Sequence, residues 1–362
     1  MRIESIEVVP LRLPLRSPWQ TVDGTMNDRE VLLVHLRSSV GEGWGECAAF
    51  AEPGYSSEFV DSARIVLRDH LIPKLVAPTQ IHSSEVAAVL SHVDGHRMAK
   101  SALEMAVLDA ELRAEGRSFA DELGVGRDLV DAGVAIGFAV SPAELCDRVA
   151  GYVDEGYRRV KLKIAPGRDL EYVSAVRDQF PALALQADAN GAYGRDDIEH
   201  LVRLDEFGLL LLEQPFADDD LVGHALLAER LTTPICLDEP IVSVATTETA
   251  VALGACDVVN LKPGRVGGYL QARRIHDWCL AHQIPLWCGG MLETGLGRAA
   301  NVVLAAMDGF TLPGDLSASA RFYATDIVAE PIVVEHGSIR VPTGAGLGAE
   351  IDPDKIARFR VG

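Results

Sequence analysis

The sequence predicts an α/β fold in which a barrel of parallel strands carries a smaller α+β domain. Four short apolar runs in the second half of the chain each end in a charged residue, at Asp188, Glu213, Asp238 and Lys262. The intervals between these charges are 25, 25 and 24 residues, about one strand, one helix and two loops. Buried runs that alternate with amphipathic segments indicate parallel strands covered by helices. Because such a barrel builds its site where the strands end, three acids and a lysine are expected at one mouth.

The length and composition are those of a globular protein. It has 362 residues, 48% of them hydrophobic and 24% charged, which disfavours disorder. The net charge of −20 argues against nucleic-acid and anionic-membrane partners, because both bind through clustered Lys and Arg. We therefore expect a small-molecule ligand.

The cysteines and the N-terminus favour a cytoplasmic location. The six cysteines form no CxxC pair, and several lie in apolar strand or helix patterns, as reduced thiols do. The first residues alternate like a strand and lack the basic and apolar regions of a signal peptide. No apolar run approaches the roughly 18 residues of a membrane span.

Residues 1–125 are predicted to form the smaller domain. Alternation in residues 3–9 and 31–37 predicts antiparallel strands. Two intervening segments are predicted to be loops that expose aromatic side chains, with Trp19 in residues 17–26 and Tyr55 in residues 50–55. Apolar residues at three- and four-residue steps predict helices over residues 57–75 and 97–116.

Residues 126–325 are predicted to form the barrel. The first strand is expected in residues 132–139, the second in residues 158–164, and the charge-terminated runs supply the third to the sixth. The seventh is expected in residues 284–288 and the eighth from Phe310 to about Asp315. Residues 326–362 are expected to return to the first domain, since residues 327–341 alternate again like β structure.

The second strand carries two lysines on one face. Residues two apart in a strand share a face, so Lys161 and Lys163 point one way and Val160, Leu162 and Ile164 the other. Two lysines directed into a barrel need anions beside them, because burying an unpaired charge is unfavourable. The alternative is a solvated edge strand, which the carboxylates expected at the same rim make less favoured.

The three carboxylates suit a metal ion. All-oxygen ligation favours Mg²⁺, with Mn²⁺ as the second choice, and zinc is disfavoured because no His or Cys ends these strands. A metal that polarises a substrate carboxylate between Lys163 and Lys262 would assist removal of the proton α to that carboxylate and stabilise the resulting enediolate. It would also lower the pKa of the two lysines, and Arg265 would lower that of Lys262 further by like-charge repulsion.

Other readings of these residues remain open at this point. Each acid by itself suits the N-cap of the helix after its strand, but three at equal spacing favour a shared site. A glycosidase would not need the lysines, a Schiff-base aldolase would not need three acids, and phosphoryl transfer would want a Walker-type loop that is absent. A silent barrel that binds a small carboxylate is the non-enzymatic alternative. The glycine-rich turn in residues 263–268 is a candidate anion cradle.

These residues resemble the enolase superfamily, and within it the muconate-lactonizing subgroup. The resemblance rests on the KxK of Lys161 and Lys163, on the three acids, and on Lys262 in place of the seventh-strand His of mandelate-racemase relatives. Longer motifs, in residues 43–47, 95–100, 260–268, 288–301 and 314–319, are similar to the o-succinylbenzoate synthase and N-acylamino acid racemase family. The resemblance covers nearly the whole chain. It implies a (β/α)₇β TIM-like barrel under an α+β capping domain that the C-terminal tail completes.

The resemblance also implies roles for individual residues. Lys163 would be the general base and acid and Lys262 its counterpart, either as a second base in racemisation or as a cation in dehydration. The metal ligands would be Asp188, Glu213 and Asp238. Lys161 would support the anion, Asn190 and Glu293 would shape the site, and the loops of Trp19 and Tyr55 would close over a small carboxylate substrate.

The resemblance implies o-succinylbenzoate synthesis in the menaquinone pathway, N-acylamino acid racemisation, or both, in a cytoplasmic homo-oligomer. The runner-up is a dipeptide epimerase or muconate cycloisomerase. Dipeptide epimerases usually show an acidic DxD at the eighth strand, where this chain has Asp315-Leu-Ser. Family members often carry an aromatic residue where this chain has Asp23, so we expect an altered acyl pocket.

Overall fold

The computed structural model describes residues 1–22 and 24–361. Its N-terminal part is a three-stranded antiparallel sheet in the order β1-β2-β3 with helices against it; the first two strands contain the predicted ones, and the third was not predicted. The strands are β1 (Ile3–Thr21), β2 (Gly24–Ser38) and β3 (Gly41–Cys47). The helices are α1 (Val60–Val66), α2 (Ile72–Leu75), α3 (Ser83–Val89), α4 (Arg97–Glu115) and α5 (Phe119–Leu123), with a π-helical turn over Leu67–Leu71 joining α1 to α2.

One of the two predicted loops of this domain is the end of a long hairpin. β1 and β2 continue to pair beyond an irregularity after Pro14, and Trp19 lies opposite Met26. The prediction of a loop over residues 17–26 is therefore wrong, because backbone pairing extends the strands past the turn-forming residues. The end of the hairpin reaches the barrel, where the Phe138 amide donates to the Gln20 carbonyl at 3.1 Å. Residues 51–57 do form an irregular loop, as predicted.

The second half of the chain forms a barrel. Seven parallel strands run in the order β11-β10-β9-β8-β7-β6-β5. They are β5 (Gly133–Ile136), β6 (Arg159–Lys163), β7 (Ala184–Asp188), β8 (Leu212–Glu213), β9 (Ile235–Leu237), β10 (Val258–Leu261) and β11 (Leu286–Cys288), preceded by the short β4 (Leu129–Asp131). Every strand of the barrel falls inside the run predicted for it.

The predicted eighth strand is reduced to two single bridges in the described chain. Phe310 pairs with Leu286 at one side, and Gly314 pairs with Ala132 at the other. The Gly133 amide donates to the Gly314 carbonyl at 2.8 Å. The segment between these bridges therefore lies between the last strand and the first, and closes the ring. Pro313 interrupts the segment, and a proline cannot donate to a ladder, which limits regular pairing there.

Helices surround the barrel. They are α6 (Pro142–Asp154), α7 (Leu170–Gln179), α8 (Ile198–Leu201), α9 (Leu221–Ala228), α10 (Val244–Ala252), α11 (Pro263–Val266), α12 (Tyr269–Ala281) and α13 (Gly295–Ala305). Short 3₁₀ turns lie at Arg195–Asp197, Val202–Phe207 and Ser319–Arg321. Side chains such as Val160, Leu162 and Ile164 point outward from β6 into the core under these helices. No helix in the described ranges is long and apolar enough to cross a membrane. All six cysteines are buried free thiols, as expected.

The C-terminal tail contacts both parts of the molecule. β12 (Ser338–Arg340) pairs antiparallel with β4, next to the barrel, and not with the N-terminal sheet. The predicted β structure over residues 327–341 is therefore mostly irregular. The final helix, α14 (Pro353–Phe359), is the element that returns to the first domain, since Leu11 bridges Arg360 and the Val361 amide donates to the Pro10 carbonyl at 3.0 Å.

Two buried glutamates of the first domain cap helices of the barrel. Glu46 accepts from the amides of Thr294 and Gly297 at the start of α13, both at 2.9 Å. Glu104 accepts from the Leu270 amide at 3.0 Å at the start of α12. A carboxylate is favourable at a helix N-terminus, where the amides are unpaired and the dipole is positive.

The glycine-rich turn before α12 is therefore a cradle for an anion of the protein itself. A Cβ added at Gly268 would overlap the Glu104 carboxylate, and the φ of Gly268 is +136°. Only glycine allows this approach without strain. The turn was a candidate cradle for a ligand, and in the structure it holds an interdomain contact.

The Glu104 contact predicts a pH-dependent stability. Burial raises the pKa of Glu104 to about 7. A carboxyl with a raised folded-state pKa contributes stability that is present below its unfolded pKa and is lost as the pH rises through about 7. Glu104→Gln should therefore gain stability relative to the parent between pH 5 and 8, by up to about 3 kcal/mol. Urea unfolding at the two pH values measures the gain.

Glu115→Gln, an exposed change in the last turn of the same helix, is the matched control and should show a pH-independent difference. The titration of Glu104 would be excluded if its variant differed from the parent equally at both pH values.

Candidate functional site

A single large cavity lies between the hairpin of the first domain and the mouth of the barrel. Its volume is about 390 Å³. The barrel contributes the side chains of Lys161, Lys163, Asn190, Lys262 and Glu293, and the first domain contributes Trp19 and Tyr55. The cavity is therefore lined by seven of the residues that the sequence singled out.

The three predicted acids lie side by side at the ends of adjacent strands. Asp188 and Glu213 are direct partners in the register of β7 and β8. Asp238 directly follows β9, next to β8. Each of the three is no more than 1% exposed. Acids that are equally spaced along the chain are therefore neighbours around the rim of the barrel.

Glu213 is held by three donors. Its Oε2 accepts from Lys161 Nζ at 2.9 Å and from Gln186 Nε2 at 2.8 Å, and its Oε1 accepts from Asn260 Nδ2 at 2.7 Å. Burial and the neighbouring Asp188 charge raise the pKa of Glu213. The donors fix the orientation of a carboxylate that would otherwise repel its neighbour.

Lys161 and Lys163 both point into the barrel, as the strand alternation predicted. Lys161 Nζ lies 3.1 Å from Asp188 and 2.7 Å from Asp315, and it sits 4.8 Å from the centre of the Trp287 ring. Burial alone lowers the pKa of Lys161, but Asp315, Glu213 and Asp188 together raise it above its ordinary value. The solvated-edge alternative is excluded, because Lys161 is 2% exposed.

Lys163 lies two residues after Lys161, on the same face of β6 and nearer the mouth of the barrel. Its Nζ donates to Asp188 Oδ2 at 2.6 Å and also to the Asn190 Oδ1. Asn190 has a φ of +44°, which turns the chain sharply after β7 and aims the amide back at the site. Burial alone would raise the pKa of Asp188, but Lys163 and Lys161 lower it below its usual range.

Lys262 approaches from β10. Its Nζ donates to Asp238 Oδ2 at 2.7 Å and to the Tyr55 hydroxyl at 3.3 Å. A Cβ at Gly289 would overlap Asn260 and press on the Lys262 side chain, so glycine leaves the space that this lysine occupies. Tyr55 thus brings the loop of the first domain into direct contact with the site.

The pKa of Lys262 reflects the protein groups around it, and the lowering expected from a bound metal stays a prediction. Burial by itself lowers it, but the Tyr55 hydroxyl and the Glu239 and Glu213 carboxylates raise it above its ordinary value. Arg265 does not repel Lys262 as expected, because its guanidinium is neutralised by Asp238 and donates to the Ile241 carbonyl at 2.9 Å and the Tyr55 hydroxyl at 3.2 Å. Without a divalent cation the carboxylates dominate this end of the cavity.

Glu293 and Trp19 form other parts of the cavity wall. Glu293 accepts from the Met291 amide at 2.8 Å and from Asn301 Nδ2 at 2.9 Å, so it braces its own loop. Trp19 meets Phe322 edge-on, with ring centres 5.8 Å apart. Asp23, which was expected to alter the acyl pocket, lies outside the described residues.

The donor set fits a hard divalent cation. Three buried carboxylates from adjacent strands supply only oxygen ligands. Glu239, next to Asp238, adds a buried Oε2 that has no partner. Among the described residues no three of these groups converge as ligands, since each of the three acids is drawn to a lysine or an arginine.

Sequence reasoning underrated Asp315 and missed Arg159 and Glu239. Arg159 is fully buried, and its Nη1 donates to Asp315 Oδ1 at 2.6 Å. It lies two residues before Lys161 on the same face of β6, so the strand alternation contained this signal. The position of Glu239 directly after a candidate ligand was a weaker signal.

The Arg159–Asp315 pair predicts a large stability effect. Asp315→Asn should destabilise the protein by about 3 kcal/mol, because it leaves Arg159 buried without its carboxylate. Urea unfolding measures this loss, with exposed Asp308→Asn as the control. The double variant, Arg159→Met with Asp315→Asn, should lose less free energy of unfolding than the two single variants lose when their losses are added. Strict additivity would show that the two side chains are not coupled.

Comparison with known proteins agrees with this geometry. Residues 3–124 match the model of the mandelate racemase / muconate lactonizing enzyme N-terminal domain, and residues 144–355 match the enolase C-terminal domain-like model. The chain is 56% identical over 357 residues to N-succinylamino acid racemase of an Amycolatopsis species, covering 98% of this chain and 97% of the relative. It is 42% identical over 360 residues to o-succinylbenzoate synthase of Bacillus subtilis, with 99% and 97% covered.

A solved structure shows the same fold. The crystal structure of an enolase-superfamily protein from Listeria innocua superposes with a TM-score of 0.96 at 41% identity, and the match covers 100% of this chain and 98% of the other. The barrel and the covering domain thus agree with both family matches, and the chain belongs to the enolase superfamily.

Proposed function

We propose that this protein removes the proton α to a carboxylate and uses the resulting enolate in two ways, to racemise N-succinylamino acids and to form o-succinylbenzoate by dehydration. The observation that carries the proposal is the placement of Lys163 and Lys262. They end the second and the sixth of eight segments around the barrel, and therefore face each other across the mouth.

The names of the relatives support both reactions. One relative is named for the racemase and another for the synthase, and each covers nearly the whole chain. The two reactions share their first step, in which a base takes the α proton. A single site with a lysine on each side of the α-carbon supports either outcome.

Asp188, Glu213 and Asp238 are proposed to hold a divalent cation, with Mg²⁺ preferred over Mn²⁺. When bound, the cation supplies positive charge that stabilises the enolate form of the substrate carboxylate. Lys161, Asn190 and Glu293 are proposed to orient the anion and the walls around it. The buried free thiols remain consistent with a cytoplasmic enzyme.

In racemisation, one lysine as a neutral amine takes the α proton on its face, and the other as an ammonium returns a proton on the opposite face. In dehydration, Lys163 takes the α proton, the enolate expels the β-hydroxyl group, and Lys163 returns the proton to that group so that water leaves, while Lys262 remains a cation that stabilises the enolate. The Tyr55 and Trp19 segments cover the cavity, so bulk water does not return the proton in place of the lysines.

The metal assignment predicts a loss of cation binding. Glu213→Ala should bind Mg²⁺ at least about tenfold more weakly than the parent, because one of three buried ligands is removed. Isothermal calorimetry with Mg²⁺ alone measures the affinity, and circular dichroism checks the fold. Glu52→Ala removes a carboxylate that lines the cavity from the loop of the first domain, is not one of the three proposed ligands, and should bind Mg²⁺ like the parent. Equal Mg²⁺ affinity of the Glu213 variant and the parent would refute the ligand assignment.

The two-lysine geometry predicts enantiomer-specific exchange in deuterium oxide. Lys262→Ala should exchange the α proton of one enantiomer of an N-succinylamino acid, because Lys163 still removes and returns a proton on its own face. Lys163→Ala should exchange the other enantiomer and lose dehydration. Proton NMR follows both exchanges.

Lys74→Ala, an exposed change on α2, is the control and should exchange both enantiomers. If Lys262→Ala exchanged both enantiomers at similar rates, the assignment of one lysine to each face would be wrong.

A further inference from the structure

One wall of the cavity carries positive charge that no carboxylate of the described residues balances. This wall, here called the strand-eight wall, consists of Arg298, Ser317, Arg321 and Phe322, with Trp19 opposite. It follows the segment that closes the barrel and lies outside the lysine–carboxylate cluster.

The other cations that line the cavity are all paired. Within the described ranges, Lys161, Lys163 and Lys262 each lie within 4.0 Å of at least one aspartate, and Arg12 pairs with Glu30. Among the same residues, Arg298 and Arg321 have no carboxylate within 4.0 Å. Burying a cation without a counterion is unfavourable, so two unpaired arginines beside a cavity indicate an anion that belongs to a ligand.

Arg321 has hydrogen-bond donors that its contacts with the described residues do not use. Its Nε donates to the Tyr152 hydroxyl at 3.1 Å, and its Nη2 donates to the Ala135 carbonyl. A guanidinium has five N–H donors, so these contacts leave donors available. The guanidinium carbon lies 4.5 Å from the centre of the Phe322 ring and 5.2 Å from that of Trp19. The aromatic rings hold it in place without neutralising its charge.

Arg298 strengthens the positive field behind this position. It is 2% exposed and donates to the carbonyls of Ser317 and Glu293, both at 2.9 Å. Its Nε is buried without a partner. These bonds hold the Arg298 side chain in place. Because the acceptors are neutral carbonyl groups, the positive charge of Arg298 is not balanced by them.

Three of the five acids that line the cavity in the described ranges are bound to other groups, and the other two, Asp28 and Glu52, form no ion pair with either arginine. Asp315 is bound by Lys161 and Arg159, Glu293 accepts from Met291 and Asn301, and Glu30 pairs with Arg12. None of them turns toward the two arginines.

We propose that Arg321, with Arg298 and Ser317 behind it, forms a subsite for a second carboxylate of the substrate, remote from the carboxylate next to the reacting carbon. The proposal rests on the proposed function and deepens it, since it makes the preferred substrates dianions and makes Arg321 the residue that selects the acyl chain. The synthase and racemase substrates would then be accepted by one site because both end in this second carboxylate.

The test compares two ligands that differ only in the distal charge. Calorimetry with Mg²⁺ present measures the dissociation constants of an N-succinylamino acid and of the same amino acid carrying an N-succinamyl group, in which an amide replaces the distal carboxylate. Racemic ligands avoid a net reaction during the titration. The parent should bind the dianion roughly tenfold to hundredfold more tightly, as expected for a hydrogen bond to a charged group. In Arg321→Met this ratio should fall to about one, with the amide bound as in the parent.

The matched control is Arg12→Met, which removes another cavity-lining arginine whose charge Glu30 already balances. It should keep the parent's ratio, and Arg321→Lys should recover part of it. Thermal unfolding of each variant checks that the wall remains folded.

Three outcomes would overturn the subsite: equal affinities of the parent for both ligands, a parallel loss of both ligands in Arg321→Met, or no binding of either ligand by the parent. Failure of the proposed function looks different. In that case the parent would keep the preference for the dianion but show no Mg²⁺-dependent exchange of the α proton.

Discussion

The mutual neutralisation of buried charges at the barrel mouth is the constraint on which the rest of the structure depends. Four carboxylates and five cationic side chains form ion pairs there, namely Asp188, Glu213, Asp238 and Asp315 with Arg159, Lys161, Lys163, Lys262 and Arg265. Removing such groups from water is tolerable only when each is paired, and that pairing requires the strands to hold one register. A divalent cation and a substrate anion would bind in this cluster and would therefore rearrange the same ion pairs that hold the strands in register.

The first domain takes part in this constraint. Tyr55 contacts Asp238, Lys262 and Arg265, while Glu46 and Glu104 cap two barrel helices. Burial raises the pKa of Glu46 and of Glu104 to about 7, so both caps sit near the point at which their charge is lost. The contacts between the two domains therefore depend on buried charges, as the site does.

Specificity is expected to come from a different part of the cavity than the chemistry does. The paired lysines and acids are proposed to serve a step common to many carboxylates, the removal of an α proton. The strand-eight wall, with Arg321 between Trp19 and Phe322, is proposed to bind the distal carboxylate that the preferred substrates share. Recognition at a group remote from the reacting carbon would let one mouth act on carboxylates that differ between the two ends.

The sequence by itself determined the barrel strands, the three acids and the direction of the two lysines of β6. Those features depend on period and spacing, which are local properties: residues two apart share a face, and equal intervals bring strand ends to one rim. Only the tertiary structure decided that residues 17–26 continue a hairpin, that the tail pairs with β4, and that Asp315 neutralises Arg159. It also decided that carboxylates raise the pKa of Lys262 and that Arg321 has no counterion within residues 1–22 and 24–361. Each of these depends on which residues from distant parts of the chain become neighbours, and electrostatic effects and pairing partners are set by distance in space, which spacing along the chain does not contain.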